Sequence, residues 1–185
     1  MEHKEYQTLF AAEDGHWWYR GMERITISLL NQLYPEPQDL QILDAGCGTG
    51  RVAIELAARG IDVVGVDVDP PMLGQAHRKA PHLEWVEADL CHIDLGRTFD
   101  VVAMPGSVMI FVCPGTESSV VANMAAHVAP GGVLVAGFQL GRGYDLDRYD
   151  ADCTAAGLSL EARYATWECD PWSPGGDYAV SVHRR

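Results

Sequence analysis

The sequence predicts an α/β fold, a mostly parallel sheet with helices on both faces, and three observations carry that expectation. Short β-branched runs alternate with stretches of helical periodicity from residue 41 onward. A glycine-rich turn, Gly46-Cys47-Gly48-Thr49-Gly50, follows directly on the apolar run Ile42-Leu43-Asp44-Ala45. The last two strand-like runs have no helix between them. Strand–helix–strand alternation implies right-handed crossovers, which put helices on both sides of a parallel sheet.

Taken in order, Ile25, Leu29, Leu30 and Leu33 form a helical stripe over about Met22–Leu33, and Pro35 and Pro37 stop it. Strands are expected at Gln41–Ala45, Asp62–Val66, Leu83–Glu87, Phe99–Met104, Gly132–Phe138, Leu158–Thr166 and Asp177–His183. Helices are expected at Arg51–Arg59, Pro71–Ala80, about Thr116–His127 and about Asp147–Ala156. The turn-rich segment ECDPWSPGGD joins the last two strands, which makes them an antiparallel hairpin at one edge. Repeats, low-complexity segments and long linkers are not seen, so one domain is expected over residues 1–185.

Composition narrows the function. With 185 residues, 48% apolar and 21% charged, the chain suits one domain with a sizeable core. A net charge of −13 with 13 scattered Lys and Arg residues disfavours a phosphate backbone as partner, so no nucleic acid is expected. Five cysteines lie far apart, without a Cys-x-x-Cys pair or a Cys/His cluster at metal spacing. Free thiols in a reducing compartment, and no metal, are the expectation. Neither a secretion-type leader nor a membrane-length apolar run is read, and a cytoplasmic protein with no membrane partner follows.

The glycine turn is the chemical signal. Glycines at Gly46, Gly48 and Gly50 permit positive φ and close approach of a ligand, and a helix starting near Arg51 aims unpaired N–H groups at it. About twenty residues later the next strand ends in Asp67, beside the turn, where a carboxylate can accept both hydroxyls of a ribose. The bland alternative is a tight strand-to-helix turn with a solvated acid. Two details separate adenosine cofactors. The spacing is G-x-G-x-G, one residue tighter than the dinucleotide pattern, and Asp44 precedes it. A carboxylate there repels the pyrophosphate of NAD but suits the ammonium of S-adenosylmethionine, which carries no phosphate.

These residues resemble the class I S-adenosylmethionine-dependent methyltransferases, small methyltransferase-domain proteins of the small-molecule type. DAGCGTG (44–50) is similar to the family's first motif and GVDVDPPML (65–73) to its second. VEADL (86–90) resembles the third, FDVVAMPG (99–106) the fourth-strand motif, and HVAPGGVLV (127–135) the turn into the fifth strand. HWWYRG (16–21) resembles a leader that precedes the first strand in small-molecule members. The resemblance implies a Rossmann-like seven-stranded sheet whose last strand is antiparallel and inserted beside the fifth. It implies residues 1–40 as a helical segment over the cofactor site and 41–185 as the core. It also implies cofactor contacts from Asp44, Gly46, Cys47, Gly48, Gly50, Asp67 and Val68, with Asp89 at the adenine amino group and Leu90 at its ring edge.

Other candidates keep two readings. Asp69 caps the next helix or meets the ligand. Met72 packs on adenine or is plain core. His16 to Arg20 are a hydrophobic latch, or Tyr19 and Arg20 hold the methionine carboxylate. Trp167 and Trp172 pack the late hairpin, or frame an acceptor pocket with Pro105–Val112 and Gln139–Asp145. Glu87 is expected to face away from the ligand. His16, His127 and Asp145 are candidate bases without a diagnostic motif, and no catalytic residue is assigned.

The expected function is methyl transfer to a small-molecule N, O, C or S atom, and the sequence leaves open whether the chain forms a homodimer. The alternative is a cofactor-binding sensor or assembly subunit without turnover. A nicotinamide oxidoreductase ranks third. Amide or base-amine methylation is disfavoured because Met104-Pro105-Gly106-Ser107 stands where an N-P-P-Y type motif belongs.

Overall fold

A computed structural model describes Leu30, Leu33, Tyr34 and residues 39–185. Strands β1 (Gln41–Ala45), β2 (Asp62–Asp67), β3 (Glu84–Glu87), β4 (Phe99–Met104), β5 (Val128–Gln139), β6 (Ser159–Tyr164) and β7 (Tyr178–Arg184) form one sheet in the order β3-β2-β1-β4-β5-β7-β6. The first five strands are parallel, while β7 runs antiparallel to both β5 and β6. The late hairpin therefore closes one edge, with β6 outermost.

Helices α1 (Arg51–Ala58), α2 (Pro70–Lys79), α3 (Glu117–Ala126) and α4 (Leu146–Ala155) connect the strands. Alternation along each strand divides the core between two faces. Leu43, Val64, Val102 and Leu134 pack against Val120, Val121 and Met124 of α3 and Tyr149 and Cys153 of α4. Ile42, Val63, Val101 and Val133 pack on the other face against Val52, Ala53 and Leu56 of α1. Burial of each such aliphatic side chain contributes about 1.5–3 kcal/mol, so the sheet is held from both sides.

Element bounds agree with expectation within about two residues, except for β5. That strand begins at Val128 rather than Gly132 because Phe99 pairs with Val128 before the register jumps to Val101 with Val133. The Pro130-Gly131-Gly132 turn sits inside the strand as an irregularity. Gly131 takes φ 79°, and a Cβ on Gly132 would lie 2.7 Å from the Asp100 carbonyl oxygen.

Leu30 is buried with Leu40 and Ile42, and the Tyr34 hydroxyl donates to the Asp100 carbonyl at 3.2 Å. These contacts lie at the start of β1 and β4, the opposite end from the glycine turn. The HWWYRG segment, including His16, Tyr19 and Arg20, lies outside the described residues, as does most of the expected 22–33 helix. No helix among the described residues is long and apolar enough to cross a membrane. All five cysteines are free.

Candidate functional site

At the C-terminal ends of β1, β2 and β4, the chain surrounds a cavity of about 650 Å³. This is where an open α/β sheet binds ligands, and the volume suits a nucleoside-sized molecule. Its walls include Asp44, Gly46, Cys47, Gly48, Asp67, Val68, Met72, Asp89 and Leu90, nine of the ten expected cofactor residues within the described chain.

The tenth, Gly50, explains itself differently. All three glycines of the turn have positive φ, at 79°, 55° and 80° for Gly46, Gly48 and Gly50. Only Gly48 has empty space where a Cβ would stand. A Cβ on Gly46 would lie 2.5 Å from a Val108 methyl, and one on Gly50 would lie 2.4 Å from the Trp85 indole. Close ligand approach is thus a property of Gly48. Gly46 and Gly50 are glycine because neighbouring side chains fill their space.

Asp44 is fully buried. Its Oδ2 accepts the Ala53 N–H at 3.1 Å, which satisfies one orphan donor at the start of α1. Its Oδ1 has no hydrogen-bond partner among the described residues. Desolvation is the main reason its carboxyl is pushed up from 3.8 to about 7; the Ala53 N–H opposes the rise and the Asp67 charge adds to it. A buried carboxylate oxygen without a donor costs free energy, and a cationic donor in the cavity removes that cost.

Asp67 is tied to the backbone through both oxygens. Its Oδ2 accepts the Gly48 N–H at 2.8 Å and its Oδ1 accepts the Asp69 N–H at 2.9 Å. A carboxylate offers about four lone-pair positions, so each oxygen keeps one for a ribose hydroxyl. Lys79 of α2 adds a second tie, donating to the Thr49 hydroxyl at 3.0 Å.

The two-way candidates now resolve in part. Asp69 caps α2, accepting the Met72 N–H at 3.0 Å ahead of Pro70 and Pro71. Met72 lines the cavity and is only partly buried, so it is more than plain core. Val68 is 67% exposed on the cavity wall, an apolar surface available to a flat ring. Asp89 is exposed, and its Oδ1 accepts the Cys91 N–H at 2.8 Å, which holds its carboxyl below the usual range. Glu87 is exposed and is not on the wall. Burial drives the Cys47 thiol far up, which leaves it a packing group rather than a nucleophile.

Two of the candidate bases take structural roles. His127 is buried, with Nδ1 2.8 Å from the Asn123 carbonyl and Nε2 accepting the Leu95 N–H at 3.2 Å, so both ring nitrogens are committed. Asp145 caps α4 through the Arg148 N–H at 2.9 Å. Both are structural and neither lines the cavity. Gln139–Asp145 and the hairpin loop are not among the residues of this cavity's walls. Of the two readings for the hairpin tryptophans, packing is the one seen: Trp167 packs over Gly137 and donates to the Tyr178 hydroxyl at 3.0 Å, while Trp172 stacks with the Arg163 guanidinium. Pro105, Gly106, Val108, Phe111 and Val112 do line it, as expected.

Sequence reasoning missed Arg51, Cys113, Thr116 and Val120, all on the walls. It also missed that Asp89, Cys91 and His92 bring a carboxylate oxygen, a thiol and an imidazole nitrogen within 4.8 Å of one another. Their i, i+2, i+3 spacing was the available signal.

The site fits S-adenosylmethionine on two grounds: the orphaned Asp44 oxygen answers an ammonium, and the bare Gly48 position admits a close ligand. Comparison with known proteins agrees. Residues 42–132 match the family model described as a methyltransferase domain. The crystal structure of a TehB-like SAM-dependent methyltransferase from Corynebacterium glutamicum is similar at 30% identity and TM-score 0.82, covering 97% of this chain and 94% of that one. A magnesium-protoporphyrin O-methyltransferase of Rhodobacter capsulatus is 31% identical over 51% of this chain and 44% of its own length. A cypemycin N-terminal methyltransferase of a Streptomyces species is 35% identical over 49% of this chain and 38% of its own. The matches thus span less than half the length of these two curated relatives.

Proposed function

The chain belongs to the S-adenosylmethionine-dependent methyltransferases, and on that premise we propose that it transfers a methyl group from S-adenosylmethionine to a small-molecule acceptor. The observation that carries the proposal is the buried Asp44 carboxylate, a wall residue of the cavity that holds one orphaned oxygen.

When bound, the cofactor supplies a methyl group on a sulfonium, already activated for displacement. The residues of this chain bind and orient. Asp44 Oδ1 takes the ammonium and is thereby paired. Asp67 holds the turn closed with one lone pair on each oxygen and offers the others to the ribose. Val68, Met72 and Leu90 give the base an apolar bed, and Asp89 accepts from its amino group. Val108, Phe111 and Val112 also line the wall, and Phe111 is 78% exposed. Apolar side chains there suit a partly apolar acceptor. Alignment of a nucleophile with the leaving group can itself supply much of the acceleration.

The relatives are named for an oxygen acceptor in one case and an N-terminal acceptor in the other, so likeness does not choose the atom. The test is a panel of hydroxyl, carboxylate, amine and thiol acceptors, read by release of S-adenosylhomocysteine. Turnover on one class is expected. Tight cofactor binding with no turnover on any class would favour a sensor or assembly subunit instead.

A further inference from the structure

We propose that the turn Asp89–His92 is a binding site for a divalent transition metal of the zinc type, and that metal and cofactor exclude one another there. The exclusion rests on the reading of Asp89 as the residue facing adenine; the metal site itself does not.

Three donors converge. An Asp89 oxygen, the Cys91 sulfur and a His92 ring nitrogen all lie within 4.8 Å of one another. The Asp89 carboxylate is held by the Cys91 N–H on Oδ1, which leaves Oδ2 at 3.8 Å from His92 Nδ1. Tetrahedral zinc with ligands at about 2.0–2.3 Å brings its donors to less than 4 Å from each other, so small rotations suffice. One carboxylate, one thiolate and one imidazole make a borderline-soft set that favours zinc over magnesium or calcium. A second loop brings another soft donor to the same cavity, because Cys113 lines it. The net charge of −13 favours a cation.

On binding, the Cys91 thiol releases its proton to solvent and its sulfur bonds the metal; nothing is oxidised or reduced. Asp89 keeps free lone pairs, but a doubly charged metal one bond length away then offsets its charge and repels the positively polarised hydrogens of an adenine amino group. The site therefore makes the cofactor pocket sensitive to free zinc.

Titration of the full chain with Zn²⁺ under reducing conditions, followed by calorimetry, tests this. One metal per chain is expected, and Cys91→Ser and His92→Ala each weaken it by about tenfold or more. Saturating S-adenosylhomocysteine weakens Zn²⁺ binding in the wild-type chain. Absence of binding, or unchanged affinity in both variants, overturns the metal site. If circular dichroism shows either variant unfolded, Asp89→Asn takes its place, since its amide oxygen still accepts the Cys91 N–H. Metal and S-adenosylhomocysteine binding independently of each other overturns the exclusion. Failure of S-adenosylhomocysteine to bind at all contradicts the proposed function and leaves the metal titration to stand alone.

Discussion

The Asp67 carboxylate accepts the Gly48 N–H at 2.8 Å, so the acid at the end of β2 fixes the centre of the turn that follows β1. The two strands are neighbours in register, with Ala45 beside Val66, which brings turn and acid together.

Replacing Asp67 by Ala removes the acceptor of both the Gly48 and Asp69 N–H groups. Leaving buried or half-buried donors unmatched costs about 1–3 kcal/mol. We expect that loss in urea unfolding of the ligand-free chain, together with loss of S-adenosylhomocysteine affinity. Asp67→Asn, which keeps an acceptor oxygen, should recover part of the stability.

Trp85 lies over two glycines at once. A Cβ on Gly65 would stand 2.3 Å from its ring, and one on Gly50 would stand 2.4 Å away. Gly65→Ala needs no unusual backbone angle, so its effect is steric: about 1–3 kcal/mol of destabilisation is expected. In the Trp85→Ala background the same change should cost much less, and a double-mutant cycle of denaturation midpoints measures the difference.

Asp44 makes the stability of the ligand-free chain pH-dependent. Its folded pKa of about 7 lies above the ordinary 3.8, so the folded state binds the proton more tightly than the unfolded state. Stability from this group is therefore highest below pH 3.8 and declines as pH rises toward about 7, by at most roughly 4 kcal/mol. Asp44→Asn should remove that decline from denaturation midpoints measured across the window.

Phe111 has little packing to lose, being 78% exposed. Phe111→Ala should shift stability by no more than about 0.5 kcal/mol and leave S-adenosylhomocysteine affinity unchanged. Its effect should fall on the KM of the acceptor once one is identified.

The sheet was legible because local pattern and tertiary packing agree: β1 and β4 begin and end where the apolar runs do. The turn and Asp67 were legible because their chemistry is tied to strand ends. Trp85 over Gly50 and Gly65 was not, since that contact joins residues distant in sequence and leaves no periodic trace. His127 shows the same limit. Its commitment to Asn123 and Leu95 depends on how α3 meets the loop before β4, which one-dimensional spacing does not encode.

Calorimetric titration of S-adenosylhomocysteine into the wild-type and Asp44→Asn chains, from about pH 6 to about pH 8, tests the central claim most directly. The account predicts wild-type affinity that falls as pH drops below about 7, where Asp44 takes up a proton, and weaker, pH-flat binding in the variant. Equal affinity and equal pH dependence in the two chains would contradict it.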